Sequence, residues 1–482
     1  MKHLKSILPL AILSGFSLQA ENQRPNIIWI VAEDMSAHFG YNGETLIKTP
    51  NVDKIASEGV VFNRAYVTCP VCSPSRSALI TGMHQTSIGA HNHRSSKGEN
   101  KIYLPENVKT IPEYFRAAGY YVTNQTLRGN KWLGAGKEDY NFVYASADLY
   151  NGIDWSERAK GQPFFGQIQL QGGKKRKVVL PTMVNPADVV LPPHYPNDSV
   201  LLNDWAAYLN SVKDVDNEVG VVFDRLKKEG LLDNTIVFFI TDHGISHARG
   251  KQFCYEEGAH IPMVIWGGKY VGKGVRNELV SHIDLAATSL YLAGIEIPKY
   301  MEARPLFGKN AKPREFAITA RDRCDETVDH IRSVRKGDYL YIRNYLYKRP
   351  HLQPNGYKDR KEILVRMREL HQEGKLDFIQ ESLFAAERPY EELYNLKLDK
   401  FQYVNLATDK NLKKVLTDMR ATLDKWELET NDKGRSLESK DVYFKEMQFI
   451  LNSDGNNAPT SNVTKEMNDN MKLMLKWLEE GK

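Results

Sequence analysis

Two apolar runs that end in acidic residues place the strongest constraint on this fold. The run NIIWIVA precedes Glu33 and Asp34, and the run TIVFFIT precedes Asp242 and His243. Short, β-branched apolar runs are typical of strands that are buried on both faces of a parallel sheet. Because ligands of such sheets bind beyond the carboxyl ends of the strands, the four polar residues are expected at one functional edge.

Helical patterns and a third apolar run, HIPMVIW, accompany these two strands. One set of apolar residues recurs at spacings of three and four and forms one face of a helix. Its members are Val212, Val215, Val219, Val222 and Leu226, and Gly230 is the expected stop. Alternating strands and amphipathic helices predict an α/β fold with a large, mostly parallel sheet between layers of helices.

The pattern changes after about Lys312. FAITARDR, IRSVRKGDYLYIRNY and PYEELYNL predict shorter strands, and residues 361–381 predict a polar helix. A later helical stripe consists of Leu412, Leu416, Met419, Leu423 and Trp426. We therefore expect a larger α/β domain over residues 21–312 and a smaller α+β subdomain over residues 313–482.

The first twenty residues predict a cleavable signal peptide. MKHLKS is positively charged, ILPLAILSGFSL is too short an apolar run to span a membrane, and LQA offers a cleavage site after Ala20. No cysteine follows the apolar run, so no lipid or other membrane anchor is expected. The mature protein is expected in the periplasm or outside the cell.

Charge and cysteine content exclude some functions and leave others open. The net charge of +5 falls to +3 when Lys2 and Lys5 are removed with the leader, which argues against a nucleic-acid-binding protein. The four cysteines of an exported chain could form two disulfides. Cys69 and Cys72 could instead form a redox motif or half of a zinc site, although the chain has no second CxxC.

The acidic pairs at the strand ends predict a site for a hard cation. Carboxylate oxygens are the ligands that calcium and magnesium prefer. The alternative is that each acid caps the helix that follows its strand.

The segment PVCSPSRSALITG, residues 70–82, resembles the signature of the formylglycine-dependent sulfatases of the alkaline phosphatase superfamily. RPNIIWIVAEDM, TPNVDKIASEGVVFNRAY, FITDHG and KQFCYEEGAHIP agree with that family, and the resemblance covers about residues 24–430. ELYNLKLDKFQYVNLATDK is similar to the branch that contains heparan N-sulfatase and bacterial polysaccharide sulfatases. The resemblance implies an alkaline-phosphatase-like fold in which the larger domain is catalytic.

The resemblance assigns the nucleophile to Cys72. In this family a maturase oxidises that cysteine to Cα-formylglycine, and Pro74 and Arg76 belong to the motif that the maturase recognises. The hydrated aldehyde attacks sulfur through one hydroxyl, and deprotonation of the other hydroxyl then expels sulfate. A serine would stall as a stable sulfate ester, because it lacks this second hydroxyl.

The resemblance also implies a metal site. Its ligands are Glu33, Asp34, Asp242 and His243 together with the modified Cys72. Glu33 stands where aspartate is usual, and His243 stands where asparagine is common. Calcium is the default ion and magnesium is the alternative; either lowers the pKa of the hydrated aldehyde and neutralises sulfate charge.

Further roles follow from motif positions. Arg76 is expected to hold the hydrated aldehyde and the metal-side carboxylates, and Lys251 resembles the family lysine that contacts sulfate and the leaving oxygen. Many relatives carry a lysine and a histidine in this region as candidates for the acid that serves the leaving group, but NKWLG lacks the histidine. We therefore favour Lys137 of GKEDYNF for this role, and Lys131 is the second candidate.

The acid that protonates the leaving group has two further candidates. Lys174 stands where relatives often place a histidine after PFF, but a lysine suits this role only if burial lowers its pKa. His247 is therefore the preferred acid, with a hydrogen-bonded structural histidine as the alternative.

Besides Lys174, five residues are expected to bind substrate. His91, His93 and Arg94 follow the signature helix, and Arg321 and Arg323 come from the smaller subdomain. Guanidinium groups suit an anionic sugar because they bind carboxylate or sulfate through two hydrogen bonds. All five could equally be ordinary surface or ion-paired residues.

The sequence thus predicts an exported sulfatase that acts on a sulfated carbohydrate, either an algal glycan of the ulvan or carrageenan type or a glycosaminoglycan. Its expected partners are that glycan and the maturase. The first alternative is a phosphodiesterase or phosphonate hydrolase of the same superfamily. The second is an unmatured, non-catalytic protein that binds sulfated glycans.

Overall fold

The computed structural model describes residues 24–309, 311–452 and 461–482, so the predicted signal peptide lies outside it. This part of the chain contains fifteen strands and twelve α-helices. The strands are β1 (Asn26–Ala32), β2 (Val60–Phe62), β3 (Ala65–Tyr66), β4 (Tyr121–Arg128), β5 (Lys131–Ala135), β6 (Phe164–Leu170), β7 (Thr235–Thr241), β8 (His260–Ile261), β9 (Met263–Trp266), β10 (Gly274–Arg276), β11 (Val280–Ser281), β12 (Phe316–Arg321), β13 (Ile331–Lys336), β14 (Tyr339–Asn344) and β15 (Glu391–Asn395). The helices are α1 (Pro50–Glu58), α2 (Cys72–Thr81), α3 (Ile111–Ala117), α4 (Ser146–Leu149), α5 (Ser199–Lys228), α6 (Glu256–Ala259), α7 (Asp284–Leu292), α8 (Glu362–Gln372), α9 (Phe378–Glu381), α10 (Lys413–Glu429), α11 (Lys440–Asn452) and α12 (Ser461–Glu479).

The main sheet has eight strands in the order β10-β2-β9-β7-β1-β6-β4-β5. The central strands β7, β1, β6 and β4 are parallel, whereas β9 and β5 run antiparallel to their neighbours. Side chains of β1 alternate between two apolar clusters, with Ile28 and Ile30 in one and Ile27 and Trp29 in the other. Since both faces are covered, the predicted α/β fold is confirmed.

The helix predicted from the valine spacing is confirmed within α5. All five of its predicted apolar residues are buried. The side chain of Asp198 caps the first turn by accepting a hydrogen bond from the backbone N–H of Val200. The helix ends at Lys228, and Gly230 follows with a left-handed φ of 67°.

The third apolar run does not form one strand. Pro262 separates β8, in a three-stranded sheet with β3 and β11, from β9 in the main sheet. Proline lacks the N–H that a continuous ladder would need, so the run divides there.

A separate antiparallel sheet, β12-β13-β14-β15, forms the centre of the smaller α+β part. Four residues of the predicted stripe, Leu416, Met419, Leu423 and Trp426, lie on α10 and pack against the sheet, whereas Leu412 precedes the helix and packs beside them. Ile331 and Leu364 nevertheless belong to the same apolar cluster as one face of β1. The boundary between residues 312 and 313 therefore stays a prediction. Among the described helices, none is both long and apolar enough to cross a membrane.

We expect Leu423→Ala to lower the free energy of unfolding by about 2–5 kcal/mol, because it leaves a cavity beneath α10. Leu423 is fully buried, whereas Leu428 on the same helix is 67% exposed. Leu428→Ala is the matched control and should change stability by less than about 0.5 kcal/mol. Urea unfolding measures both variants, and equal losses would contradict the packing described for α10.

Candidate active site

Strand register brings the predicted site residues to one edge of the main sheet. Ala32 at the end of β1 pairs with Thr241 at the end of β7 and with Leu170 at the end of β6. The residues that follow these three strands therefore emerge side by side. The predicted meeting of the two acidic pairs is confirmed.

Helix α2 carries the signature segment to this edge. Cys72 is its first residue and Arg76 lies one turn later, so both side chains share a face. Every residue of α2 is buried, which its small side chains permit, and the Ser75 hydroxyl donates to the Asp242 carbonyl at 2.5 Å. Gly82 ends the helix with a left-handed φ of 67°.

The Cys72 sulfur lies among polar groups from four segments. It is 3.1 Å from His243 Nε2, 3.1 Å from Lys251 Nζ, and 3.8 Å from both Lys174 Nζ and Asp34 Oδ1. A buried sulfur surrounded by cations and possible metal ligands is in a reactive environment rather than a packing position.

The charge around Cys72 favours an anion at this position. Burial raises the pKa of its thiol, but Lys137, Lys174 and Lys251 outweigh that effect and lower the pKa to about 6. The same lysines would attract the oxygens of an anionic substrate.

Four side chains form a cluster that fits a metal ion. The ligand atoms of Asp34, Cys72, Asp242 and His243 all lie within 4.8 Å of one another, and all four residues are buried. His243 Nδ1 is 2.8 Å from the carbonyl oxygen of Gly244. Because that oxygen can only accept, Nδ1 carries a proton, and the neutral ring would offer the lone pair of Nε2 to a metal ion.

Two further features support the metal site. Asp242 Oδ2 is buried and accepts no hydrogen bond from the described residues, although Arg76 Nη2 lies 3.3 Å away. Asp34 has a left-handed φ of 54°, and its backbone N–H donates to Asp242 Oδ1 at 3.0 Å. Strained backbone of this kind is typical of functional sites.

Glu33 occupies a different position from the other predicted ligands. Its carboxylate contacts Arg76 Nη2 at 3.1 Å, Lys137 Nζ at 2.9 Å and also Lys174 Nζ. Burial favours its neutral form, but Lys174 and the other two cations hold the pKa of this carboxyl well below its usual value. The metal-ligand role of Glu33 stays a prediction, because the structure places it among cations.

Burial and the neighbouring anions act in opposite directions on the charges of Lys251 and Lys174. Burial opposes the charge of Lys251, but Asp34 and Cys72 outweigh it and raise the pKa of the ammonium well above its usual value. For Lys174 burial is likewise outweighed by Cys72, Asp34 and Glu33, and its pKa is also raised well above the usual value. The lowered pKa that an acid role for Lys174 requires is therefore absent.

Two glycines let the Lys174 segment approach the metal cluster. A Cβ atom on Gly172 would lie 2.2 Å from the backbone oxygen of Glu33, and one on Gly173 would lie 2.2 Å from that of Asp34. The N–H of Gly173 donates to the Glu33 carbonyl at 2.8 Å. Only glycine permits this contact, which carries the Lys174 ammonium to the site.

Lys131 at the start of β5 and Lys137 just after it lie in different environments. Lys137 lies beside Glu33 and 3.4 Å from Asp139 Oδ2, with its side chain 30% exposed. Lys131 is exposed and pairs with Arg128 in the β4–β5 hairpin. Lys137 is thus the one that reaches the site, and its part in catalysis stays a prediction.

His247 has contacts that favour a structural role. Its Nε2 lies 2.5 Å from Asp204 Oδ2, and its ring stacks on Trp205 at a centroid distance of 4.9 Å. None of its described contacts reaches Cys72. Burial lowers the pKa of the imidazole. Its role as the acid stays a prediction without a contact that supports it.

Of the residues after α2, Arg94 is the one that faces the site. Its side chain is 46% exposed, and its backbone N–H donates to Ser73 Oγ at 3.1 Å. His93 Nδ1 lies 3.0 Å from Asp325 Oδ1. His91 is enclosed near Arg332, and burial followed by that charge lowers the pKa of its imidazole to about 4.

The two arginines from the smaller part bind carboxylates of this chain. Arg321 Nη1 lies 2.5 Å from Asp329 Oδ2, and Arg323 Nε lies 2.7 Å from Glu438 Oε2. Both arginines are buried. These pairs match the ion-pair alternative, and the substrate role of both arginines stays a prediction.

The sequence analysis missed two residues that touch the site. Gln169 on β6 accepts a hydrogen bond from Arg76 Nη1 at 2.7 Å. The Tyr357 hydroxyl donates to Asp34 Oδ2 at 3.3 Å, and its ring lies 4.7 Å from Lys251 Nζ. Gln169 could have been found as a polar residue in a buried strand. Tyr357 has no local signal, because it comes from a loop far along the chain.

The four cysteines are all free and buried. Cys69 packs with Val71 and Cys324 in a small apolar cluster. Cys69 and Cys72 therefore form neither a disulfide nor a ligand pair in this structure, and Cys69 is a packing residue.

Family models and relatives identify the chain. The sulfatase model matches residues 25–295, and the model of the N-sulphoglucosamine sulphohydrolase C-terminal region matches residues 243–349. An ulvan-active sulfatase of Formosa agariphila is 30% identical over 495 residues, covering 92% of this chain and 80% of that protein. The chain belongs to the sulfatase family.

This sulfatase is also similar to human N-sulphoglucosamine sulphohydrolase, with 24% identity over 464 residues, 84% of this chain and 90% of the human protein. Its fold matches that of a 2-O GAG sulfatase, with a TM-score of 0.61, 20% identity, and coverage of 92% and 99% of the two chains. The predicted family, its heparan N-sulfatase-like branch and its class as a sulfuric ester hydrolase are confirmed.

We expect Asp242→Asn to lower calcium affinity at least about tenfold. Loss of a group that only supports a metal ligand already costs about tenfold or more in affinity, and loss of a ligand should cost no less. Asparagine keeps an acceptor for the Asp34 N–H, but it removes the charge and replaces the second carboxylate oxygen by an NH₂ group. Asp139→Asn is the control, because Asp139 contacts Lys137 and lies outside the cluster. Calorimetric titration of chelator-treated protein measures both, and equal losses would refute this cation site.

Proposed function

We propose that this protein is an exported sulfatase that hydrolyses sulfate esters of a polysaccharide or oligosaccharide through a formylglycine formed from Cys72. The observation that carries the proposal is the position of Cys72 between the metal-ligand cluster and Lys174 and Lys251. A nucleophile, a cation site and fixed positive charges thus converge on one point, as attack on an anionic ester requires.

The contacts of each side chain indicate its role in catalysis. Lys251 and Lys174 remain charged, so they can neutralise the oxygens of a sulfate group held next to residue 72. Arg76 contacts both Glu33 and Asp242 and receives support from Gln169. Its guanidinium is therefore fixed in orientation beneath the nucleophile.

The residues that would hold the metal are Asp34, Asp242, His243 and the modified residue 72. When bound, the cation, calcium by default with magnesium as the alternative, supplies Lewis-acid polarisation of sulfate and activates the nucleophile. The arrangement leaves Glu33 to balance the charges of Arg76 and the lysines.

Lys137 is the proposed contact to the leaving oxygen. Its side chain is partly exposed and lines the cleft beside Cys72, so it can meet a sugar as well as the sulfate. His247 is less suitable, because its ring is enclosed by Trp205 and held by Asp204.

The named relatives support a sulfated glycan as substrate, with ulvan-type algal polysaccharides and glycosaminoglycans as the two classes. The leader sequence supports export to the periplasm or beyond. The signature around Cys72 supports a maturase as the partner during biogenesis.

We expect Cys72→Ser to form a stable sulfate ester with an aryl sulfate, because serine offers one hydroxyl and no second one to expel sulfate. Intact-protein mass spectrometry should show a gain of about 80 Da and one equivalent of released phenol. Cys72→Ala is the control and should show neither. A Cys72→Ser protein that stays unmodified yet turns over substrate would contradict the assignment of the nucleophile.

Wild-type protein should release sulfate from sulfated oligosaccharides and should favour an aryl sulfate over the matched aryl phosphate diester. A reversed preference would favour the phosphodiesterase alternative. Glycan binding without sulfate release, with an intact thiol at Cys72, would favour the non-catalytic binder.

A further inference from the structure

A cleft of about 590 Å³ extends from the catalytic residues toward α11. Glu33, Lys137 and Lys174 line its inner part, next to Cys72. Farther out its lining includes Arg94, Lys97, Arg128, Asp139 and Phe449. The cleft is larger than a sulfate group requires, so its outer part is available to the rest of a substrate.

The charge of the cleft is unbalanced. Five basic side chains line it, against two acidic ones. Both acids are already engaged, because Glu33 contacts Arg76 and two lysines, and Asp139 Oδ2 lies 3.4 Å from Lys137 Nζ. Arg94 has a partner outside the lining, because its Nη1 lies 3.6 Å from Asp325 Oδ1. The positive charge that remains in the outer part of the cleft is therefore that of Lys97 and Arg128.

Lys97 and Arg128 account for much of this excess charge. Lys97 lies near Glu138 and Arg128 lies near Glu218, but neither cation forms an ion pair within 4.0 Å with a carboxylate of the described residues. Lys97 Nζ donates to the carbonyl of Tyr140 at 3.1 Å, and Arg128 Nη1 donates to the carbonyl of Gln169 at 3.1 Å. Both side chains are half-buried, so an anionic ligand would compensate for the hydration they have lost.

An aromatic ring forms the wall beside these cations. Phe449 of α11 is 44% exposed and packs so closely on the backbone next to Lys97 that a Cβ atom on Gly98 would lie 3.1 Å from its Cβ. The exposed ring of Phe449 can pack against the apolar face of a ligand ring, while the neighbouring cations bind an anionic group at the edge of that ligand. A sugar that carries an anionic group has this character.

We propose that the outer cleft binds a second anionic group of the glycan, the carboxylate of a uronate next to the sugar that is desulfated. Lys97 and Arg128 contact this group, and Phe449 packs against the sugar ring. The protein is thereby specific for polyanionic glycans rather than for isolated sulfate esters. This inference rests on the proposed sulfatase function and concerns the same site.

The test uses a sulfated oligosaccharide with a neighbouring uronate, the same oligosaccharide after carboxyl reduction, and 4-nitrophenyl sulfate as a small reference substrate. We expect wild-type kcat/KM to be at least about tenfold higher for the uronate form, as a lost charge-assisted contact implies. The measured quantity is the ratio of kcat/KM between the two oligosaccharides, which cancels changes in the chemical step.

Lys97→Met and Arg128→Met should bring this ratio close to one, whereas Phe449→Leu should lower kcat/KM for both oligosaccharides and leave their ratio unchanged. Lys160→Met is the control, because it removes one exposed positive charge outside the cleft. It should keep the wild-type ratio.

The outcomes separate the two proposals. Wild-type protein that hydrolyses both oligosaccharides equally well, or lysine and arginine variants that keep the wild-type ratio, would overturn the outer-cleft assignment and leave the sulfatase function intact. A matured wild-type protein that releases sulfate from none of the three substrates would overturn the proposed function itself.

Discussion

The parallel pairing of β1 with β6 and β7 is the constraint on which the rest of the structure depends. It aligns Ala32, Leu170 and Thr241, so the segments after the three strands meet at one edge. A slip of one residue in either pairing would turn Asp34 or Asp242 away from the cluster. The strands are buried on both faces, which fixes their register and gives a rigid base for a site made from separate segments.

Charge compensation is the second element of the site. Taking Glu33, Asp34 and Asp242 out of water is costly, and the structure offsets the cost with Arg76 and the lysines around them. The same arrangement leaves positive charge beside residue 72 and farther along the cleft, where a sulfated glycan would supply the missing anions. The groups that stabilise the buried carboxylates are therefore the groups that would recognise the substrate.

Much of this could be predicted from the sequence, because the responsible residues lie in local patterns. The buried runs located β1 and β7, the valine spacing located α5, and the signature segment located Cys72 and Arg76. Tyr357 and Phe449 could not be predicted, since each reaches the site only through long-range packing. Arg321 and Arg323 show the converse limit: the sequence left both a substrate role and an ion-paired role open, and the fold pairs them with Asp329 and Glu438.

The central claim is that residue 72 acts as an aldehyde-derived nucleophile, and peptide mass spectrometry of protein from its native host tests it most directly. Replacement of the thiol by an aldehyde removes SH₂ and adds oxygen, so the account predicts a loss of about 18 Da from the tryptic peptide that contains Cys72. Protein that releases sulfate from a glycan while this peptide retains an unmodified cysteine would contradict the account.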